Sequence, residues 1–321
     1  MAVLRFIFAA CLIANAANAA AQSYPSKALR LIVPFPPGGS ADILARTIGQ
    51  RMSEGLGQSV VIDNRPGAGT AIGAEATAKS AADGYTIMIG TVSSHAINPS
   101  LNAKLPYHPI RDFTPISPVA SIPFALVVHP SLPARTVAEL IAAARAKPGV
   151  LNFSSAGNGT SNHLAGELFK SMARIDVVHI PYKGSAPALN DLLAGQVNMM
   201  FDLVLTAAPH VKAGTVRAIA VTGKERSSVL PGVPTVHESG LSGYDVSAWF
   251  GIFAPAGLPT AVTQRLNTEV VRVMRLADVR ERLASQGAEP MASSAEAFAE
   301  YVRMELTKWS GVVQAAGMRS E

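Results

Sequence analysis

Pro34-Phe35-Pro36-Pro37-Gly38-Gly39-Ser40-Ala41-Asp42 joins two different kinds of segment. The apolar run 29–33 precedes it and reads as a buried strand. From Asp42 onward, Ile43, Leu44, Ile48 and Met52 recur at helical spacing. A loop rich in proline and glycine therefore leads from a strand end into a helix start, the βα junction of an α/β fold. Glycine has no Cβ, so its backbone N–H groups can approach a ligand closely. The helix start adds N–H donors without intrahelical acceptors and a partial positive charge. Together these make a pocket for a carboxylate or another small anion. The alternative is a strand-to-helix turn that binds nothing.

Upstream, Arg5, the apolar stretch 6–13 and the small-residue patterns Ala17-Asn18-Ala19 and Ala19-Ala20-Ala21 read as a secretory leader over residues 1–21. The apolar stretch is too short to span a bilayer, which takes about 20 residues. Cys11 is the only cysteine and lies inside this leader. A lipoprotein reading of Cys11 lacks the usual aliphatic residue at the third position before it. Without Cys11 the chain has no thiol for disulfides, metal sites or nucleophilic catalysis. The remaining length suits two domains of about 150 residues each. Lys and Arg number 27 against 22 Asp and Glu, a net charge of +5, and charged residues are only 15% of the chain. No basic run exists, so nucleic-acid binding is not expected. A mild positive field suits a small anionic ligand. The apolar stretch 248–258 is broken by Gly251, Pro255 and Gly257, so no membrane span is expected there.

Strand candidates fall at 29–33, 60–63, 86–89, 125–128, 151–154, 177–180, 197–201 and 216–221, with helical patterns between most of them. This alternation predicts α/β architecture with largely parallel sheets. Thr136-x-x-Glu139 reads as a capping box. Ser185 reads as the cap of a helix carrying Leu189, Leu192 and Leu193 and stopped by Gly195. Ser293-x-x-Glu296 reads as the start of a C-terminal helix with a stripe of Phe298, Val302, Leu306 and Trp309. Stretches 107–123 and 231–259 are rich in proline and glycine and break the rhythm. They read as surface loops or, preferably, as two interdomain crossings. Domain 1 would then comprise residues 22–122 and 248–321, and domain 2 residues 123–247.

Domain 2 offers a matching junction. Strand 151–154 leads through Ser155-Ala156-Gly157-Asn158-Gly159-Thr160-Ser161-Asn162-His163 into a helix with Leu164, Leu168 and Met172. Gly157-x-Gly159 lacks the third glycine of a dinucleotide fingerprint. Thr160 or Ser161 either caps this helix or, with its hydroxyl, donates to a ligand carboxylate. Thr91-Val92-Ser93-Ser94-His95 follows the third strand of domain 1, where open α/β sheets place ligands. Ser93 and Ser94 are candidates for the distal end of a ligand, or for a helix cap.

The chain resembles the Bug-type solute-binding receptors of tripartite tricarboxylate transporters over nearly its whole length beyond the leader. The matching motifs include Tyr24-Pro25, Ile32-Val33-Pro34-Phe35-Pro36-Pro37-Gly38-Gly39, and Asn64-Arg65-Pro66-Gly67-Ala68-Gly69. Further matches are Asp83-Gly84-Tyr85, Tyr182-Lys183-Gly184, Phe201-Asp202, Val211-Lys212-Ala213-Gly214 and Pro231-Gly232-Val233-Pro234-Thr235. Thr70 stands where a glycine is common, and Leu203 where asparagine is often found. The resemblance implies a two-domain periplasmic binding protein of type 2-like architecture, with two Rossmann-like lobes joined by two crossing segments. A small carboxylate would bind in the cleft and pass to the transporter's membrane subunits. The implied binding residues are Phe35, Pro37, Gly38, Gly39, Ser40 and Asp42 of the first loop and Ser93, Ser94 and His95 of the second. The third loop would add Ala156, Gly157, Gly159, Thr160, Ser161 and His163, with Asp202 on the opposite strand. No catalytic residue, metal or cofactor is expected, and a monomer is expected.

Two other readings compete. A hydrolase could be drawn from Ser161, His163 and Asp202, but no Gly-x-Ser-x-Gly elbow exists. The seven histidines form no His-Glu-x-x-His motif. A periplasmic sensor presenting the ligand to a signalling system would use the same closing lobes. Citrate-like acids, amino-acid carboxylates, nicotinate and aromatic dicarboxylates all suit the predicted site.

Overall fold

A computed structural model describes residues 24–315 of the chain. The expected leader at 1–21, with Cys11 and its cleavage patterns, lies outside the described residues. The chain begins with parallel strands β1 (Leu29–Val33), β2 (Val60–Asn64) and β3 (Thr86–Thr91), with β1 in the middle. Helices α1 (Ser40–Leu56) and α2 (Ala71–Ala78) connect them. Every residue of β1 except Arg30 is buried, and Leu44, Ile48 and Met52 of α1 are fully buried. The period-3.6 stripe read from the sequence is thus the face that α1 buries. A π-helical turn (Ser93–Ile97) and short α3 (Asn98–Leu101) follow β3.

The proline-rich stretch 107–123 is not a loop. From Phe113 it is β4 (Phe113–Val128), a 16-residue strand. β4 pairs antiparallel with β9 (Ser247–Pro255) from Phe113 to Pro123, and its register slips between Pro115 and Ser117 and between Pro118 and Ala120. Proline cannot donate to a ladder, so prolines within a strand concentrate at such irregularities. From Phe124 to Val128 the same strand pairs with β7 (Met199–Leu203). β4 therefore belongs to two sheets in succession. The first runs β2-β1-β3-β9-β4, with the two-residue β10 (Glu289–Pro290) beside β4. The second runs β4-β7-β5-β6, with β5 (Asn152–Ser155) and β6 (Val178–Pro181) parallel to each other and β8 (Arg217–Val221) on the far side of β4. The stretch 231–259 likewise holds a strand, β9, inserted antiparallel between β3 and β4.

Helices α4 (Val137–Ala146), α5 (Ser161–Ala173), α6 (Ser185–Leu193) and α7 (Val204–Lys212) belong to the second half of this architecture. The Thr136 hydroxyl accepts from the Glu139 N–H at 3.2 Å, as the capping box predicts. The Glu139 carboxylate closes the box one residue upstream, on the Arg135 N–H at 2.7 Å. Ser185 is not a cap: α6 starts on it, and Gly184 is the N-cap. After β9 come α8 (Thr260–Arg275), α9 (Ala277–Ser285) and α10 (Ala295–Ala315). The cap of α10 is Ser294, whose Oγ accepts from the Ala297 N–H at 3.2 Å, one residue beyond the expected Ser293. Phe298, Val302 and Trp309 of α10 are buried on the first sheet. Glu305 Oε2 accepts from the indole N–H groups of both Trp309 (2.7 Å) and Trp249 of β9 (2.9 Å).

Candidate functional site

The first loop is held rigid from beneath. The Asp42 carboxylate is buried and accepts from the Gly38 N–H at 3.0 Å, Asn64 Nδ2 at 3.0 Å and Arg46 Nε at 2.9 Å. Asn64 Nδ2 also donates to the Phe35 carbonyl at 3.0 Å. Burial pushes the Asp42 pKa up, but the donors Arg46, Gly38 and Asn64 outweigh it and hold the group below the usual carboxylate range. Asp42 is therefore a saturated anchor that faces the loop. The N–H groups of Gly39, Ser40 and Ala41 bond no protein group among the described residues, and these three residues line a narrow cavity. Gly39 is the N-cap of α1 with φ −84° and ψ 171°, extended backbone.

This cavity, of about 30 Å³, lies where elements of both sheets meet. Phe35 and the start of α1 form one wall, with Ser93 beside them. Thr160, Ser161 and Asn162 at the start of α5, with Ser185 of α6, form another. Phe124 of β4, Asp202 and Leu203 of β7, and Ala248 and Phe250 of β9 close it. A wider mouth of about 680 Å³ continues outward past Gly69, Asn98, the loop 156–160, His163 and Lys183.

The third loop is largely satisfied within itself. Thr160 Oγ1 lies 2.5 Å from the Gly157 carbonyl and 2.7 Å from Asn162 Oδ1, and has a proton for only one of them. Asn162 Oδ1 also accepts from the Ala156 N–H at 3.3 Å and the His163 N–H at 3.1 Å. His163 Nδ1 accepts from the Gly159 N–H at 3.3 Å, and its ring stacks on His179 at 3.9 Å. Burial first, and Lys170 second, push the His163 pKa down to about 4, so the ring is neutral at pH 7. The Ser161 N–H reaches across to Ser93 Oγ at 3.0 Å. No hydrogen bond joins Ser161, His163 and Asp202 among the described residues, so they form no relay for nucleophilic catalysis.

Of the residues read from the sequence, Phe35, Gly39, Ser40, Ser93, Ala156, Thr160, Ser161 and Asp202 come together on the narrow cavity. Gly157, Gly159 and His163 line the mouth. Pro37, Gly38 and Asp42 shape the first loop without lining either space. Ser94 and His95 are corrections. The Ser94 hydroxyl closes its own turn on the Thr91 backbone, with the Thr91 N–H at 2.9 Å. His95 is a core residue, stacked on Phe253 at 3.8 Å and edge-on to Phe113 at 4.7 Å. Burial pushes its pKa down to about 3, and the ring stays neutral. The cavity residues Phe124, Asn162, Ser185, Ala248 and Phe250 were not anticipated. Phe250 comes from a strand hidden in the stretch 231–259, and Phe124 sits on β4 just past the stretch 107–123.

Two mixed α/β lobes that share a long strand and enclose a cavity at helix N-termini define a periplasmic solute-binding protein fold. The family model for the tripartite tricarboxylate transporter family receptor, TctC, matches residues 44–318. The chain belongs to this family, as a Bug-type receptor. It is 38% identical over 305 residues to protein BugT of Bordetella pertussis, covering 95% of this chain and 94% of BugT. It is similar to Rpa4515 of R. palustris, solved with adipate, at 40% identity and a TM-score of 0.91, covering 93% of this chain and 100% of that one. It is also similar to MatC of Rhodopseudomonas palustris, solved with bound malate, at 34% identity and a TM-score of 0.87, covering 90% and 100%. The family and these neighbours are binding proteins, and members of the family are periplasmic.

Proposed function

We propose that this protein is an extracytoplasmic receptor that captures a small organic carboxylate between its lobes and delivers it to tripartite tricarboxylate transporter membrane subunits. The observation that carries the reading is the set of unbonded N–H groups at Gly39, Ser40 and Ala41, three residues that line the narrow cavity at the start of α1. A helix N-terminus with free donors favours a carboxylate oxygen. The adipate and malate bound by two similar proteins support the same ligand class. The binding set on this reading is Phe35, Gly39, Ser40, Ser93, Ser161 and Asp202, with Thr160 bracing the loop beside them and Gly157, Gly159 and His163 at the mouth. The lobes divide at 122/123 and 247/248. The change of partner along β4, from Ser247 opposite Pro123 to Leu203 opposite Phe124, supports this division. The receptor works as a periplasmic monomer.

A thermal-shift screen of organic acids, adipate and malate among them, tests the reading. An acid at about 100 times its dissociation constant stabilises the folded state by about 2.7 kcal/mol, a rise of several degrees. A panel in which no carboxylate raises the midpoint overturns it.

A further inference from the structure

The narrow cavity contains one charged side chain, and its sign is wrong for an anion. Asp202 on β7 is 1% exposed, and its Oδ2 is buried without a hydrogen-bond partner among the described residues. Neither α1, the Ser93 turn, α5, α6, β4 nor β9 presents a titratable or charged side chain to this cavity. The facing groups are hydroxyls, backbone amides and the rings of Phe35, Phe124 and Phe250. Lys183 and the neutral His163 stand only in the mouth outside. A ligand carboxylate seated on the Gly39–Ala41 amides would thus face, across a cavity of about 30 Å³, a lining whose one charged residue is an acid.

We infer that the receptor takes up its carboxylate together with one proton, held between the ligand and Asp202 Oδ2. The inference rests on the carboxylate reading above. Two ionised carboxylates in a buried cavity repel strongly, and such pairs titrate so that one proton serves both. The proton comes from solvent, binds Asp202 Oδ2, and the resulting O–H donates to a ligand carboxylate oxygen. No other bond is made or broken. This gives the orphaned Oδ2 its partner and removes the repulsion in one step. Burial raises the Asp202 carboxyl to about 7 even though hydrogen bonds from the Thr206 hydroxyl and the Leu203 backbone pull it down. A ligand charge beside it pushes in the same upward direction. Uptake therefore strengthens as pH falls toward neutrality from above.

The test is titration calorimetry of adipate and of malate into the receptor at pH 8, in two buffers of different ionisation heat. Both probes are fully ionised at that pH, because ordinary carboxyl groups titrate near 4. The expected result is uptake of about one proton per ligand and a dissociation constant rising about tenfold per pH unit above 8. Asp202→Asn mimics the protonated carboxyl, so it should bind with no proton uptake and a flat pH profile; its thermal midpoint verifies the fold. Binding to the wild-type receptor without proton uptake overturns this inference and leaves the carboxylate reading standing. Proton uptake that persists in Asp202→Asn also overturns it. If no acid of the thermal-shift panel binds at any pH, the carboxylate reading and this inference fall together.

Discussion

Gly39 separates binding from folding at a single position. Its φ of −84° is one that any residue adopts, and an added Cβ would meet no atom within 4 Å. Gly39→Val therefore introduces no backbone strain, and a poorer N-cap costs at most about 1 kcal/mol of stability. The branched side chain stands where a ligand would approach the α1 amides. The dissociation constant for adipate or malate should rise at least about tenfold, or 1.4 kcal/mol; calorimetry on the folded variant measures it, and an unchanged value removes this loop from the site. Thr160 gives the opposite outcome. Its hydroxyl is buried and spent on Gly157 or Asn162, so it is a loop brace rather than a ligand donor. Thr160→Ala should cost about 1 kcal/mol in a denaturant melt, the usual net value of a hydrogen bond, and change affinity by less than about threefold. A large affinity loss at unchanged stability would return the hydroxyl to the ligand. Thr70 shows a local cost of departing from the family pattern. It holds φ +92°, a genuine outlier for a β-branched residue, at the position where a glycine is common.

Elements were legible where one physical signal dominated. β1 was read at its true bounds because its apolar run ends on a proline and glycine cluster, and α1 was read from Asp42, two residues past its start at Ser40, because its stripe faces the core. β4 was legible as a strand only over 125–128, and β9 was not legible as one. Pro115, Pro118 and Pro123 imitate a loop, yet β4 absorbs two of them at register slips. The same stretches were read as interdomain crossings, and along β4 the chain changes sheet partner at the end of the first of them. The two loops that line the cavity were legible for a related reason, since each glycine cluster sits between a strand and a helix. Phe124 and Phe250 were missed because they meet only through the pairing of distant strands. His95 was misread because a histidine beside serines past a strand end looks polar, while tertiary packing places it between aromatic rings. At this scale the joint most open to test is that between α10 and β9. Glu305→Ala leaves the buried indole N–H groups of Trp249 and Trp309 without their shared acceptor. The loss should be about 3 kcal/mol, since each stranded donor costs about 1–3 kcal/mol. Glu305→Gln keeps a carbonyl acceptor and should cost about 1 kcal/mol. Equal losses for the two in urea melts would mean that packing, not the acceptor, holds the joint.

Across the whole molecule, the two lobes meet in a seam built for close approach. The Ser161 N–H bonds Ser93, and the hydroxyls of Ser40 and Thr206 lie 3.4 Å apart. At Gly69 a Cβ would collide with the backbone carbonyl of Asn158 on the other side. A carbonyl belonging to the chain cannot swing aside as a flexible side chain can, so the collision opposes this arrangement of the lobes directly. Gly69 also holds φ +57°, where alanine costs about 1–2 kcal/mol wherever the lobes stand. Gly57 supplies the control: its φ is +66°, and an added Cβ there meets nothing within 4 Å. Gly69→Ala and Gly57→Ala should lower the unfolding free energy of the unliganded protein by similar amounts, about 1 kcal/mol each. Their affinities should part. Gly57→Ala should bind as the wild type does, whereas Gly69→Ala penalises only the state in which the lobes touch. Binding drawn from a less populated competent state weakens by that fraction, so its dissociation constant should rise at least about tenfold, faster release accounting for most of the change. Calorimetry and stopped-flow dissociation on both variants measure this. If Gly69→Ala binds as tightly as Gly57→Ala, the ligand does not require the seam between Gly69 and Asn158, and the touching lobes are not the state that holds it.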